Sequence, residues 1–172
     1  MKARKGQRGF TLLELLIVIA IILIIAAIAI PNLLKSRILA NEASAIGSLR
    51  AIYSAAQMYS STYSNGFPPS LAALGPPAGG GNNSTCDNAN LLDSVLASGK
   101  KSGYVFTYTG SNPVSSPGQG CANPGFNAFT INADPAQRGT TGQRSFFIDA
   151  SGTIRYNLSQ PATASDPPFS GS

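Results

Sequence analysis

The chain has 172 residues, of which 43% are hydrophobic and only 11% charged, with a formal net charge of +5; this length suits one compact domain plus an appendage. Four of the twelve cations, Lys2, Arg4, Lys5 and Arg8, lie in the first nine residues, and beyond residue 63 basic and acidic residues balance, so no nucleic-acid footprint is indicated. There is no His, and the two cysteines alone make a poor zinc site; no Ser, Cys or carboxylate pair has recognisable catalytic spacing, so the chain does not read as an enzyme and no cofactor or metal is expected.

After the basic tip, Phe10-Thr11-Leu12-Leu13-Glu14 leads into Leu15–Ile30, sixteen unbroken apolar residues. Phe10 to Ile30 as a helix is about 31 Å long at about 1.5 Å per residue, which matches a hydrocarbon core of roughly 30 Å. No polar face exists to meet water. Four cations precede the segment and only Lys35 and Arg37 follow closely, a bias that holds the N-terminus in the cytoplasm and exports the rest. A secretory signal peptide is the rival reading, with Ala27-Ile28-Ala29 as its small-x-small cleavage site. Against it stand the length of the apolar run and the carboxylate of Glu14 inside it. Mature protein beginning at Phe10 or at Ile30 separates the two.

The run Arg8-Gly9-Phe10-Thr11-Leu12-Leu13-Glu14-Leu15 resembles the signal of type IV prepilins and pseudopilins. The resemblance covers residues 4 to about 35. It implies cleavage between Gly9 and Phe10 by a membrane peptidase, which then methylates the new amine of Phe10. Glu14 becomes the fifth mature residue, and Pro31 sits where many members carry a proline.

A carboxylate in an apolar helix needs water or a partner. In a membrane Glu14 lies one turn from the helix end, within reach of the interface. In a filament core the available cation is the amine of Phe10. Pairing with Glu14 of a neighbouring copy sets the helix stagger, because any other register strands a charge. Phe10 and Glu14 are also i and i+4 on one face, so pairing within one chain is the alternative. Pro31 removes a backbone donor and crowds the carbonyl four residues back, which predicts a kink or a locally melted segment just before it.

Leu34, Ile38, Asn41, Ala45, Leu49, Ile52, Ala56, Tyr59 and Tyr63 then follow steps of three and four. They predict an amphipathic continuation to about residue 60, and all of them but Asn41 form one stripe that packs a sheet. Lys35, Arg37, Glu42 and Arg50 are assigned to polar positions off that stripe. Ser64-Asn65-Gly66-Phe67-Pro68-Pro69 ends the helix, and Ser70–Leu74 is expected to add one turn. Gly75–Thr85 reads as a surface loop. Leu91, Leu92, Val95 and Leu96 suggest a short helix stopped by Gly99. Four strands are expected, over 104–109, 126–132, 144–148 and 153–157, with Asp149-Ala150-Ser151-Gly152 as a type I turn. The span 111–125 is a long loop carrying Cys121, and the tail 159–172 is expected to be exposed. If this half is exported, Cys86 and Cys121 form a disulfide; two free thiols are the other reading.

The expected fold is α+β: a long N-terminal helix with a protruding hydrophobic half, its C-terminal half packed on a small antiparallel β-sheet. The segments are a leader over 1–9, a transmembrane or filament-core helix over 10–31, an amphipathic helix over 32–63 and a loop-rich head over 64–172. The resemblance implies a structural subunit of a type IV pilus, held in the inner membrane with its head in the periplasm and then polymerised through its helix. It also implies a prepilin peptidase and methylase, an assembly platform with an ATPase, and copies of itself as partners. A pseudopilin of a type II secretion system is the alternative. A membrane-tethered enzyme has no support in the residues, and an adhesin or DNA-uptake role would lie in exposed loops that the sequence does not decode.

Overall fold

The computed structural model describes residues 10–77, 79, 81 and 83–170. The leader, including Gly9, lies outside the described residues, as do positions 78, 80 and 82 of the expected loop and the last two residues of the tail. The chain divides into two compact units, residues 1–36 and 37–172.

Helix α1 spans Leu12–Tyr63, 52 residues with Pro31 inside it. In the first unit none of the described side chains is buried. By length and composition this helix is apolar enough to cross a membrane. Helical backbone runs through Pro31 without interruption. The melted segment expected there is therefore absent: the flanking turns keep their hydrogen bonds and hold the backbone helical although Pro31 lacks its own donor.

In the second unit Ala45, Leu49, Ile52, Ala56 and Tyr59 are buried, as their spacing predicts, while Ile38, Asn41 and Tyr63 are half-buried. Leu34, in the first unit, is exposed and not part of the buried stripe. Glu42 corrects the sequence reading more sharply. It is 2% exposed and points into the head instead of lying on a solvated face. Ser64 and Gly66 take positive φ of 50° and 68°, which turns the chain out of the helix in the manner of a left-handed C-terminal cap.

A 3₁₀ turn at Ala72–Leu74 follows, then helix α2 over Ser94–Ala97. Asp93 caps α2 by accepting from the Leu96 amide at 2.9 Å, and Gly99 stops it with φ of 79°. The sheet is an antiparallel meander of β1 Lys100–Lys101, β2 Tyr104–Pro113, β3 Phe126–Pro135, β4 Ser145–Asp149 and β5 Arg155–Asn157, in sequence order. The α+β class is as expected. β1 was not anticipated, because two lysines carry no strand pattern; they pair at the edge with Tyr104 and Val105. β2 runs on through Ser111–Pro113, so the connecting loop is shorter than 111–125. The turn after β4 closes with the Gly152 amide donating to the Asp149 carbonyl at 3.0 Å.

The core lies between α1 and the sheet. Leu49, Ile52, Ala56 and Tyr59 meet Tyr104, Phe106, Phe129, Ile131, Phe146 and Ile148 in one apolar cluster. Phe67 meets Phe129 edge-on at 4.6 Å, and Tyr108 stacks on the same ring at 5.6 Å.

Most of the described tail is exposed, as expected from its Pro and Ser content, but it is docked at two points. Ala162 is buried and Asn132 donates to its carbonyl at 2.7 Å. The Phe169 amide donates to the Ile154 carbonyl at 2.7 Å, and its ring meets Phe146 and Tyr156 edge-on. Ala162 and Phe169 are enough to dock it because Asp166 supplies the turn. Its carboxylate accepts from the Thr163 amide and hydroxyl and from the Asn157 amide, at 2.7, 2.9 and 2.8 Å.

Candidate functional site

In the first unit Phe10 is the first described residue and is 82% exposed. Glu14 stands in the first turn of α1 and is the single acid in the apolar run. One of its carboxylate oxygens accepts from the Thr11 amide at 2.9 Å and from the Thr11 hydroxyl at 2.7 Å. The Thr11 hydroxyl in turn accepts from the Glu14 amide at 3.2 Å. This is a capping box, in which the first turn satisfies its own orphan donors. The carboxylate is thus held locally by hydrogen bonds, and its second oxygen keeps lone pairs for a cation. Sequence reasoning passed over Thr11, although the Thr-x-x-Glu spacing ahead of an apolar run is the signal for such a box.

In the second unit Glu42 and Arg144 join α1 to the sheet. One Glu42 oxygen accepts from the Gln143 and Arg144 amides at 2.9 and 3.0 Å. The other accepts from Arg144 Nε at 2.8 Å and pairs with its terminal nitrogen at 2.7 Å. All four donors converge on one buried carboxylate, so the charge is fully compensated. The guanidinium also lies 5.2 Å from the centre of the Phe169 ring and 5.9 Å from that of Phe146. One turn of chain around it is fixed twice more. Asn41 donates to the Thr141 carbonyl at 2.8 Å, and the Tyr104 hydroxyl donates to the Arg144 carbonyl at 2.7 Å. Burial, with the Glu42 charge added, raises the Tyr104 phenol far above its ordinary value, which keeps it a donor. Glu42 is the one acid between Glu14 and Asp87, four residues after Ile38 and three before Ala45, but nothing in that spacing points to Gln143 and Arg144 as its partners.

Cys86 and Cys121 are joined in a disulfide, with Cα atoms 5.1 Å apart. Beside it lies Asn65, which is completely buried. Its side-chain nitrogen donates to the Asn123 carbonyl at 3.1 Å and to the Tyr59 hydroxyl at 3.2 Å. Its oxygen accepts from the Gly118 and Gly125 amides at 2.8 and 3.3 Å. A side chain on Gly125 would run into the carbonyl oxygens of Asn65 and Phe67, so only glycine fits this close approach. In the sequence Asn65 was read solely as part of the helix stop; nothing local distinguishes a buried asparagine from a turn asparagine.

Residues 4–30 match the family model for the prokaryotic N-terminal methylation motif. The type IV major pilin protein PilA of Myxococcus xanthus is 50% identical over 53 residues, 31% of this chain and 24% of that protein. The type II secretion system core protein G of Escherichia coli is 41% identical over 59 residues, 34% of this chain and 41% of that protein. The type IV wide pilus major component PilA4 of Thermus thermophilus is 63% identical over 38 residues, 22% of this chain and 29% of that protein. In each case the match spans less than half the relative's length. No solved structure gives a significant match. The methylation motif, the apolar helix behind it and the relatives on both the pilus and the secretion side agree, and over the N-terminal segment that they cover they support the type IV pilin and pseudopilin family.

Proposed function

We propose that the chain is a structural subunit of a type IV pilus. It is held in the inner membrane by residues 10–31 with its head, 64–172, in the periplasm, cut after Gly9 and methylated on Phe10. It then polymerises through α1, served by a prepilin peptidase and by an assembly platform with its ATPase. The observation that carries this reading is Glu14: one carboxylate in the otherwise apolar, unburied stretch 12–30 of α1, satisfied among the described residues only by its own first turn. Once such a helix leaves lipid it must be covered by other apolar surface. The carboxylate then needs a cation, and the freed amine of Phe10 on a neighbouring copy is the one at the right end of the helix. Pro31 leaves a backbone carbonyl without its helical donor, a weak point along the rod.

The pseudopilin alternative is favoured by the matches to core protein G. The disulfide-bonded head and the matches to two pilus major components lean to the pilus. The test is Glu14→Ala in a cell that makes the filament. Membrane insertion and cleavage should continue while filaments fall at least tenfold, and normal filament yield would refute the register argument. Deletion then separates the two readings: loss of a surface fibre built of this chain supports the pilus, and a defect in protein secretion with no such fibre supports the pseudopilin.

A further inference from the structure

The disulfide of the head is unsymmetrical. Cys86 is 3% exposed, in the apolar cluster, whereas Cys121 is half-buried in the loop between β2 and β3. The Cys86 sulfur has a polar neighbour that Cys121 lacks among the described residues. The Tyr59 hydroxyl lies 2.8 Å from it, and the Asn65 amide nitrogen lies 3.4 Å from it. A disulfide sulfur carries no proton, so the hydroxyl donates to it. Asn65 in turn donates to the Tyr59 oxygen at 3.2 Å, which aims the phenolic proton at the sulfur. Asn65 also holds Gly118 and Gly125, on both sides of Cys121, by hydrogen bonds independent of the disulfide.

We propose that Tyr59 and Asn65 are positioning residues for oxidation of this pair, with Cys121 as the sulfur that an external disulfide takes first and Cys86 as the nucleophile that resolves it. The oxidant is a disulfide, small or protein-borne. The Cys121 thiolate attacks it, one sulfur–sulfur bond forms as another breaks, and one thiol leaves. The Cys86 thiolate then attacks Cys121, closes the bond and expels the second thiol. Both cysteine protons go to solvent, and the two electrons reduce the oxidant to two thiols. Burial by itself disfavours the Cys86 thiolate, and a donor at its sulfur offsets that penalty. Tyr59 is suited to donate, because burial raises its phenol and keeps the proton on oxygen at neutral pH. The inference is independent of which filament the chain builds.

The test uses reduced full-length protein in detergent micelles, mixed with glutathione disulfide, quenched with acid and mapped by mass spectrometry. The expected first adduct of the unmutated protein is on Cys121, and it collapses to the Cys86–Cys121 bond. In Tyr59→Phe, which keeps the ring beside Tyr63, the adduct should form at the same rate and collapse about five- to tenfold more slowly, the worth of one ordinary hydrogen bond. A first adduct on Cys86, or unchanged closure in Tyr59→Phe, overturns the proposal. Mapping the unmutated protein gives the order of attack even if the variant folds poorly.

Discussion

Removal of the Glu42 carboxylate is the most demanding perturbation of the head. Glu42→Ala deletes the acceptor for two backbone amides and for the Arg144 guanidinium at once. Taking one partner from a buried ion pair costs about 3–5 kcal/mol when the other charge is stranded. Here the Arg144 side chain keeps 29% exposure and can turn part of its charge to water, so the expected loss is at the lower end, about 3 kcal/mol. Glu42→Gln keeps an oxygen for the two amides but sets an amide against the guanidinium, and should lose about half as much. The assay is urea unfolding of the full chain in micelles, followed by near-ultraviolet dichroism of the head tyrosines. Arg144→Ala and the double variant complete a cycle, and the coupling between the two sites should be at least about 1.5 kcal/mol. A Glu42→Ala variant within about 0.5 kcal/mol of the parent would show that the carboxylate holds nothing.

Other outcomes can be stated more briefly. The Thr163 amide, and after it the Asn157 side chain, hold the Asp166 carboxyl below its ordinary value; its stabilising effect is therefore complete above the usual carboxylate range and is lost as pH falls through the lowered one. Hydrogen exchange of residues 162–169 should accelerate in that acid window, and Asp166→Asn should show the acid behaviour already at neutral pH. Gly47→Ala meets nothing within 4 Å on an exposed helix face and should stabilise the head by about 0.5–1 kcal/mol, read as a higher unfolding midpoint. Gly125→Ala should abolish exchange protection of the Gly118 amide, because the added carbon displaces the Asn65 backbone that anchors the loop.

The sequence was legible where a pattern is periodic or a residue is chemically out of place. The apolar run over 15–30, the stripe from Ala45 to Tyr59 and the alternation in 104–109 each specify one local structure. Glu14 stands out because nothing polar surrounds it. Glu42, Asn65 and Arg144 were missed for the opposite reason. Each belongs to a type that is common at surfaces, and its burial depends on partners 102, 60 and 53 residues distant that no local window contains. The tail is exposed as its composition suggests, except that Ala162 and Phe169 dock beside an aspartate turn, which an average over fourteen residues conceals.

The strand order also bears on how the head comes into being. Each strand pairs with its neighbour in the chain, so hairpins can close one after another as the polypeptide emerges, without waiting for remote segments. The helix is made first, yet the cover of its greasy side is incomplete until Phe146 and Ile148 join Tyr104, Phe106, Phe129 and Ile131 in the core. Every nascent molecule therefore passes through an interval with Leu49, Ile52 and Tyr59 wet, the stage at which clumping and proteolysis compete with folding. A stop codon before residue 144 would leave each molecule in that interval for good, and such truncated products should be cleared from the cell and never accumulate.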